Sequence, residues 1–235
     1  MKPVDDREAM AGRYARRQAL PADRYSLLNP VVQARVQERQ RATTRLLRDV
    51  GLQGVAGLDI LEVGCGSGSN LLEWLQLGAT PERLAGNELL PERLAQAQQR
   101  LPAAVRLHAG DAARLPLVEA SFDIVHQSTV FSSLLDDAFQ SELAARMWSW
   151  VRPGGGVLWY DFTFNNPRNA DVRGVPLARV HALFPAAQVQ AWRITLAPPV
   201  ARAVCRVHPF LYPVFNALPP LRTHVLAWLG KPARP

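Results

Sequence analysis

Glu62 stands two residues before Gly64, and Gly64, Gly66 and Gly68 alternate with Cys65, Ser67 and Ser69. Three glycines within five positions let the main chain turn sharply, with no Cβ between the backbone and a ligand above it. A dinucleotide fingerprint, G-x-G-x-x-G, places its third glycine three positions after the second. Here the third glycine comes two positions on, and Ser69 holds the dinucleotide position. A carboxylate just before the turn suits a cationic ligand better than a pyrophosphate. Glu88 follows twenty positions after Gly68, where an acid in a doubly wound fold accepts hydrogen bonds from ribose hydroxyls.

The elements that position these groups are legible around them. Leu58, Ile60, Leu61 and Val63 make the short apolar run of a strand covered on both faces. Asn70 to Leu77 reads as the helix after the turn, its N-terminal amides facing the ligand. Arg83 to Leu89 reads as a second strand ending near Glu88, Pro91 opens the next helix, and Ala104 to Ala109 is a third strand. Ser121 to Ser128 is a fourth strand. Asp137 with Gln140 three residues later predicts a capping-box helix start. Upstream, Asn29-Pro30 is a cap followed by proline at the first helical position. That helix carries Val32, Val36, Leu46, Leu47 and Val50 on one face and ends at Gly51; Arg35, Arg39, Arg41, Arg45 and Arg48 are expected on a solvated face. Residues 1–28, with Tyr14 and Tyr25 among arginines, read as a terminal arm or a lid.

The chain has 235 residues, 48% of them hydrophobic, with no apolar run near the length of a membrane span. Its charged N-terminus is unlike a secretory signal, and two cysteines, Cys65 and Cys205, make neither a disulfide framework nor a metal site. A reduced, cytoplasmic protein without a metal is expected. The net charge of +7 is compatible with nucleic acid, anionic substrates or an anionic membrane surface, and equally with an arginine-biased composition.

The string E-V-G-C-G-S-G resembles the first motif of the class I S-adenosylmethionine-dependent methyltransferases. Later segments extend the resemblance over residues 55–197: Gly110-Asp111-Ala112 with Leu115-Pro116, then Ser121-Phe122-Asp123-Ile124-Val125, then Val151-Arg152-Pro153-Gly154-Gly155 as a turn before a fifth strand, Val157 to Phe162. It implies a Rossmann-like α/β fold with a mostly parallel seven-stranded sheet, helices on both faces and an N-terminal helical cap. The expected single domain divides into a cap (1–54), a cofactor-binding core (55–197), an insert capping the substrate (198–222) and a last strand with tail (223–235). The resemblance implies S-adenosylmethionine as cofactor, held by Glu62, Gly64, Cys65, Gly66, Gly68, Glu88, Leu89, Asp111, Ala112 and Ser128, with Asp111 accepting from the adenine amino group. Many small-molecule members carry a histidine after the fourth strand, where this chain reads Val130-Phe131-Ser132-Ser133-Leu134. The candidate bases are therefore Asp161 and His126, with His208 and His224 behind them.

The loop from Thr163 to Gly174 and the proline-rich insert leave the half of the sheet that faces the methyl donor. They are expected to hold the acceptor through Asn165, Arg168 and Tyr212. A small-molecule or glycan acceptor and O-methylation are favoured; N- or C-methylation of a natural product or lipid-linked acceptor follows. No specific nucleic-acid binding is expected, a peripheral membrane contact is compatible with the insert, and the oligomeric state is not read. An RNA methyltransferase, an NAD-dependent oxidoreductase and a non-catalytic cofactor-binding protein stay open as alternatives.

Overall fold

Strand β1 (Ile60–Val63) is buried along its whole length, and its apolar residues alternate between two packed layers. In the computed structural model, which describes Gly12 and residues 26–165 and 169–233, it lies third in a seven-stranded sheet of order β3-β2-β1-β4-β5-β7-β6. Strands β2 (Leu84–Glu88), β3 (Arg106–Ala109), β4 (Phe122–Ser128) and β5 (Val151–Phe162) run parallel to it. Strand β7 (Arg222–Gly230) is antiparallel to both β5 and β6 (Gln188–Leu196). The chain winds outward from β1 in both directions, so β1 and β4 are neighbours whose following loops part. A crevice forms at their carboxyl ends, where open sheets bind ligands.

One face of the sheet is covered by helices α1 (Pro30–Asp49), α2 (Ser69–Gln76) and α3 (Pro91–Arg100), through Leu46, Leu47, Leu71, Trp74 and Ala97. The other is covered by α4 (Asp137–Trp150) and α5 (Leu177–Leu183), through Leu143, Met147, Trp150, Val180 and Leu183. Helix α1 begins as its sequence predicts: the Asn29 side chain accepts from the Val31 amide at 3.0 Å, with Pro30 in the first turn.

Two details differ from the sequence reading, and a third adds to it. The cap of α4 is Asp136, which accepts from the amides of Ala138 and Phe139. Gln140 is instead buried and donates to the carbonyls of Phe131 and Leu134, tying α4 to the loop after β4. The R-P-G-G segment is not a turn before β5 but the first part of that strand, with a register shift against β4 between Phe122 and Ile124. Its glycines are dictated by neighbours: a Cβ on Gly155 would meet the Asp123 carbonyl oxygen at 2.4 Å, and one on Gly156 the Trp228 ring at 2.4 Å. Arg152 beside them bridges Asp59 at 2.9 Å and Asp123 at 2.7 Å. Finally, the insert between β6 and β7 is helical: α6 (Pro198–Val207) and α7 (Leu211–Asn216) pack on α1 through a small third core of Leu196, Ala201, Val204, Cys205 and Tyr212.

Glu38 of α1 fastens that insert. Its carboxylate accepts from the Thr195 amide at 2.8 Å, the Tyr212 hydroxyl at 2.9 Å and the Asn216 side-chain amide at 2.6 Å. Thr195 is held at φ +67, a conformation a β-branched residue rarely adopts, and its hydroxyl bonds that of Tyr160 at 2.9 Å. Removing the acceptor orphans three donors at once. Glu38→Ala is expected to lower the unfolding free energy by about 2–4 kcal/mol in urea denaturation; a loss below about 1 kcal/mol would show that the insert is held by packing alone.

Candidate functional site

The turn after β1 depends on its glycines through backbone conformation. Gly64, Gly66 and Gly68 all have positive φ, at +67, +57 and +82. A Cβ on Gly68 would also strike Leu101 at 2.8 Å, and one on Gly64 would strike Val130 at 2.6 Å, whereas at Gly66 the nearest atom is the Arg93 guanidinium at 3.9 Å. Gly66 is therefore required for its φ and not for tight packing. The turn is fixed from β2. The Cys65 amide donates to the Asn87 carbonyl at 2.8 Å. The Gly66 amide donates to one Glu88 oxygen at 2.8 Å, and the Leu90 amide to the other at 2.9 Å. Asn87 in turn donates to the carbonyls of His108 and Gly110, so the ends of β1, β2 and β3 are one hydrogen-bonded unit.

A cleft lies over those strand ends. Glu88, Asp111 and Ala112 line it beside Gly64, and Leu89, Val130, Leu134, Phe139 and Leu143 give it apolar walls. Asp111 is placed by its own capping role: one oxygen accepts from the Ala113 amide at 2.9 Å, and Arg114 pairs with the other at 3.6 Å. Two carboxylates in a cleft with apolar walls suit a ligand that pairs an apolar ring with hydroxyl or amino donors.

Glu62, at the β1 end of the same unit, is the unusual group. It is 1% exposed. Asn70 at the start of α2 donates to its Oε1 at 2.6 Å, while its Oε2 has no hydrogen-bond partner. Burial pushes its pKa up to about 8. An acid with one oxygen unspent, beside a glycine turn, fits a ligand bearing positive charge. Burial also raises the Cys65 thiol well above its ordinary range, so it packs and is not a nucleophile.

Beyond β4, a residue the sequence reading missed is prominent. Arg39 of α1, expected on a solvated face, turns inward: its side chain is 17% exposed, pairs with Glu73 at 2.7 Å and donates to the Ser128 hydroxyl at 3.3 Å. Its guanidinium lies 5.5 Å from the centre of the Tyr160 ring. His224 stacks on the same ring with centroids 5.0 Å apart, and Phe162 meets His224 edge-on. Arg39, Ser128, Tyr160, Phe162 and His224 thus come together at the carboxyl ends of β4 and β5. Heptad-like spacing gave no hint of Arg39, because its partners lie on other elements.

The two expected bases are engaged elsewhere. Asp161 is fully buried, and its oxygens accept from the amides of Ser132 at 3.1 Å and Phe162 at 3.0 Å; burial raises its pKa to about 7. His126 accepts at Nδ1 from the Trp74 indole at 3.3 Å, and burial lowers its pKa to about 3. Both fix neighbouring loops and helices. Of the expected acceptor residues, Asn165 is exposed and accepts from the Gly174 amide at 2.8 Å, closing its own loop. Tyr212 is 2% exposed in the insert core and does not face a cleft. Arg168 and the N-terminal arm around Tyr14 and Tyr25 lie outside the described residues.

Residues 60–155 match a family model described as a methyltransferase domain. A demethylmenaquinone methyltransferase of Deinococcus radiodurans is 30% identical over 165 residues, which are 68% of this chain and 64% of that protein. The matched segment is a methyltransferase domain, carried on the Rossmann-like fold of the S-adenosylmethionine-dependent methyltransferases. Solved structures share its fold at low identity. The 1,6-didemethyltoxoflavin-N1-methyltransferase of Burkholderia thailandensis, solved with that compound and S-adenosylhomocysteine, is 18% identical, with 98% of this chain and 93% of that one covered and a TM-score of 0.61. Phosphoethanolamine N-methyltransferase 1 of Haemonchus contortus is 13% identical, with 97% of this chain and 49% of that one covered and a TM-score of 0.65. The cyclase SpnF has it too, at 16% identity and a TM-score of 0.58, so the fold alone does not settle the reaction.

Glu62 gives the candidate site a measurable signature. Its folded pKa of about 8 lies above the ordinary value of 4.5, so the ligand-free protein binds an extra proton between those values and loses stability as pH rises through that window. Glu62→Gln removes the buried charge. The ligand-free variant should melt above the wild type at about pH 8.5, with the gap closing toward about pH 4; a gap constant with pH would mean that Glu62 is not buried as an acid.

Proposed function

We propose that this chain transfers a methyl group from S-adenosylmethionine to a small-molecule acceptor. The observation that carries the reading is the unspent, buried Oε2 of Glu62 beside the three-glycine turn. Glu62 would hold the cationic end of the cofactor, Glu88 the ribose and Asp111 the adenine edge, with Leu89 and Phe139 against the base. The cofactor supplies an activated sulfonium methyl. The protein's part is to align the acceptor with it and exclude water, and such alignment is worth about 7–11 kcal/mol of barrier.

The acceptor would lie over the Ser128 end of β4, walled by Tyr160, Phe162 and His224. His126 and Asp161 already accept hydrogen bonds through the atoms that would act as base, and burial lowers the pKa of His224 to about 3, which leaves its imidazole a weak base. The nucleophile is therefore an acidic one that ionises without a dedicated base, such as a phenolic or enolic oxygen, and the Arg39 guanidinium stabilises its anion. O-methylation of such a hydroxyl is the first reading. Methylation at a ring carbon of a quinone-type acceptor is the second, favoured by the name of the Deinococcus relative.

Two measurements test this. Calorimetry should find adenosylmethionine bound and NAD not, with affinity that strengthens as pH rises toward about 8, because the ionised form of Glu62 is the one that pairs with a cation. In the same assay Glu88→Ala should weaken binding by about 1.5–3 kcal/mol. NAD binding in place of adenosylmethionine, or affinity indifferent to pH, would overturn the cofactor assignment. Against any phenolic acceptor that is turned over, Arg39→Met should reduce kcat/KM by at least about tenfold, the worth of a charge-assisted contact. Unchanged kinetics would place the acceptor elsewhere.

A further inference from the structure

The insert carries a surface that neither cofactor nor acceptor uses. Phe210 is 79% exposed, Val207 77%, Val214 62% and Leu218 53%. They project from α6, α7 and the turns beside them, while the other side of the same insert is pinned down by Ala201, Val204, Cys205 and Tyr212. The apolar side chains are therefore held outward on a fixed platform. Exposed apolar residues scattered singly need no account, but a cluster of this kind on one small element marks a contact surface.

The charge around it selects the partner. From Val172 to the end of the chain there are eight Lys and Arg residues and no Asp or Glu. Of these, Arg202 and Arg206 lie one helical turn apart on the exposed side of α6, next to the apolar cluster. A protruding apolar cluster with Arg202 and Arg206 beside it and no acid anywhere in the insert is the pattern of a helix that lies in a lipid headgroup layer, apolar side chains down and cations at the phosphates. A second copy of this chain would bring the same arginines face to face, and a nucleic acid would leave Val207, Val214 and Leu218 without a role. Among the described residues no helix is long and apolar enough to cross a membrane, so the contact is with a surface.

We propose that α6 and α7 dock this protein on an anionic bilayer. The insert leaves β6 and enters β7 at the carboxyl edge of the parallel strands, the edge that also carries the cleft. Docking turns that edge toward the lipid, so an acceptor dissolved in the membrane would be met at its surface. The proposal stands on the patch and its charge, independently of whether methyl transfer is the activity.

The test is sedimentation of the full chain with vesicles of phosphatidylcholine containing about 30% phosphatidylglycerol, against phosphatidylcholine alone. The wild type should bind the anionic vesicles at least about tenfold more tightly than the neutral ones, and less tightly as salt rises. Phe210→Ser combined with Val214→Ser, and separately Arg202→Glu combined with Arg206→Glu, should each weaken binding at least about tenfold while leaving the thermal midpoint and cofactor affinity unchanged. Absence of binding overturns the proposal, as does binding that the serine pair leaves intact, which would be charge attraction only. A homodimer broken by the serine pair, with no vesicle binding, would assign the patch to a second copy and overturn it equally.

Discussion

The Glu88 carboxylate is the contact on which the rest of the site depends. It accepts the amide of Gly66 with one oxygen and that of Leu90 with the other, so a single side chain fixes the turn after β1 and the start of α3 in one geometry. Turn residues held at positive φ have little to stabilise them locally, and a two-pronged anchor supplies what the backbone lacks. The same carboxylate faces the cleft. Its position for a ligand is a by-product of its role in the scaffold, which is why the site is preorganised without any ligand to shape it.

A second organisation serves the other half of the crevice. Helix α1 lies across the sheet and sends two adjacent side chains in different directions: Arg39 toward Glu73 and Ser128, Glu38 toward Thr195, Tyr212 and Asn216. One helix thus joins the cofactor-proximal turn of α2 to the insert. The arginine is paired with Glu73, so the polar side of the crevice is close to charge balance, and the uncompensated feature is the single open oxygen of Glu62.

Much of this could be read from residue order because the decisive signals are local. Glycines at alternate positions after a largely apolar strand specify a turn with positive φ, and Glu88 and Asp111 sit at strand ends beside one cleft, with Glu62 buried at the end of the neighbouring strand. What escaped was tertiary. Arg39 looks like any other arginine on a charged helix until Glu73 and Ser128 are brought beside it. Asp161 and His126 have the right residue types for proton transfer, yet backbone amides and an indole occupy them. Tyr212 was expected to hold the acceptor and lies in the insert core, its hydroxyl donating a hydrogen bond to Glu38, 174 positions earlier. The cap of α4 was misplaced by one residue since Asp136 and Asp137 are equally good caps by type.

The Glu38 link also sets an order of assembly. The cleft is built from residues 60–143, a stretch whose β-α-β units pair with near neighbours in the chain. Seating the insert instead requires Glu38 of α1 to meet residues 157 to 178 positions downstream. Contacts of such long sequence separation are slow to form, since the chain entropy of closing the loop must be overcome before the contacts reward it. On a ribosome, α1 can pack against α2 and the first strands early, but the partners of Glu38 arrive only with the insert. In the folded molecule the same two segments are held together by one carboxylate and a small core. The insert is therefore the last part of the fold to be secured, after the strand ends around the cleft have been set by contacts made earlier in the chain.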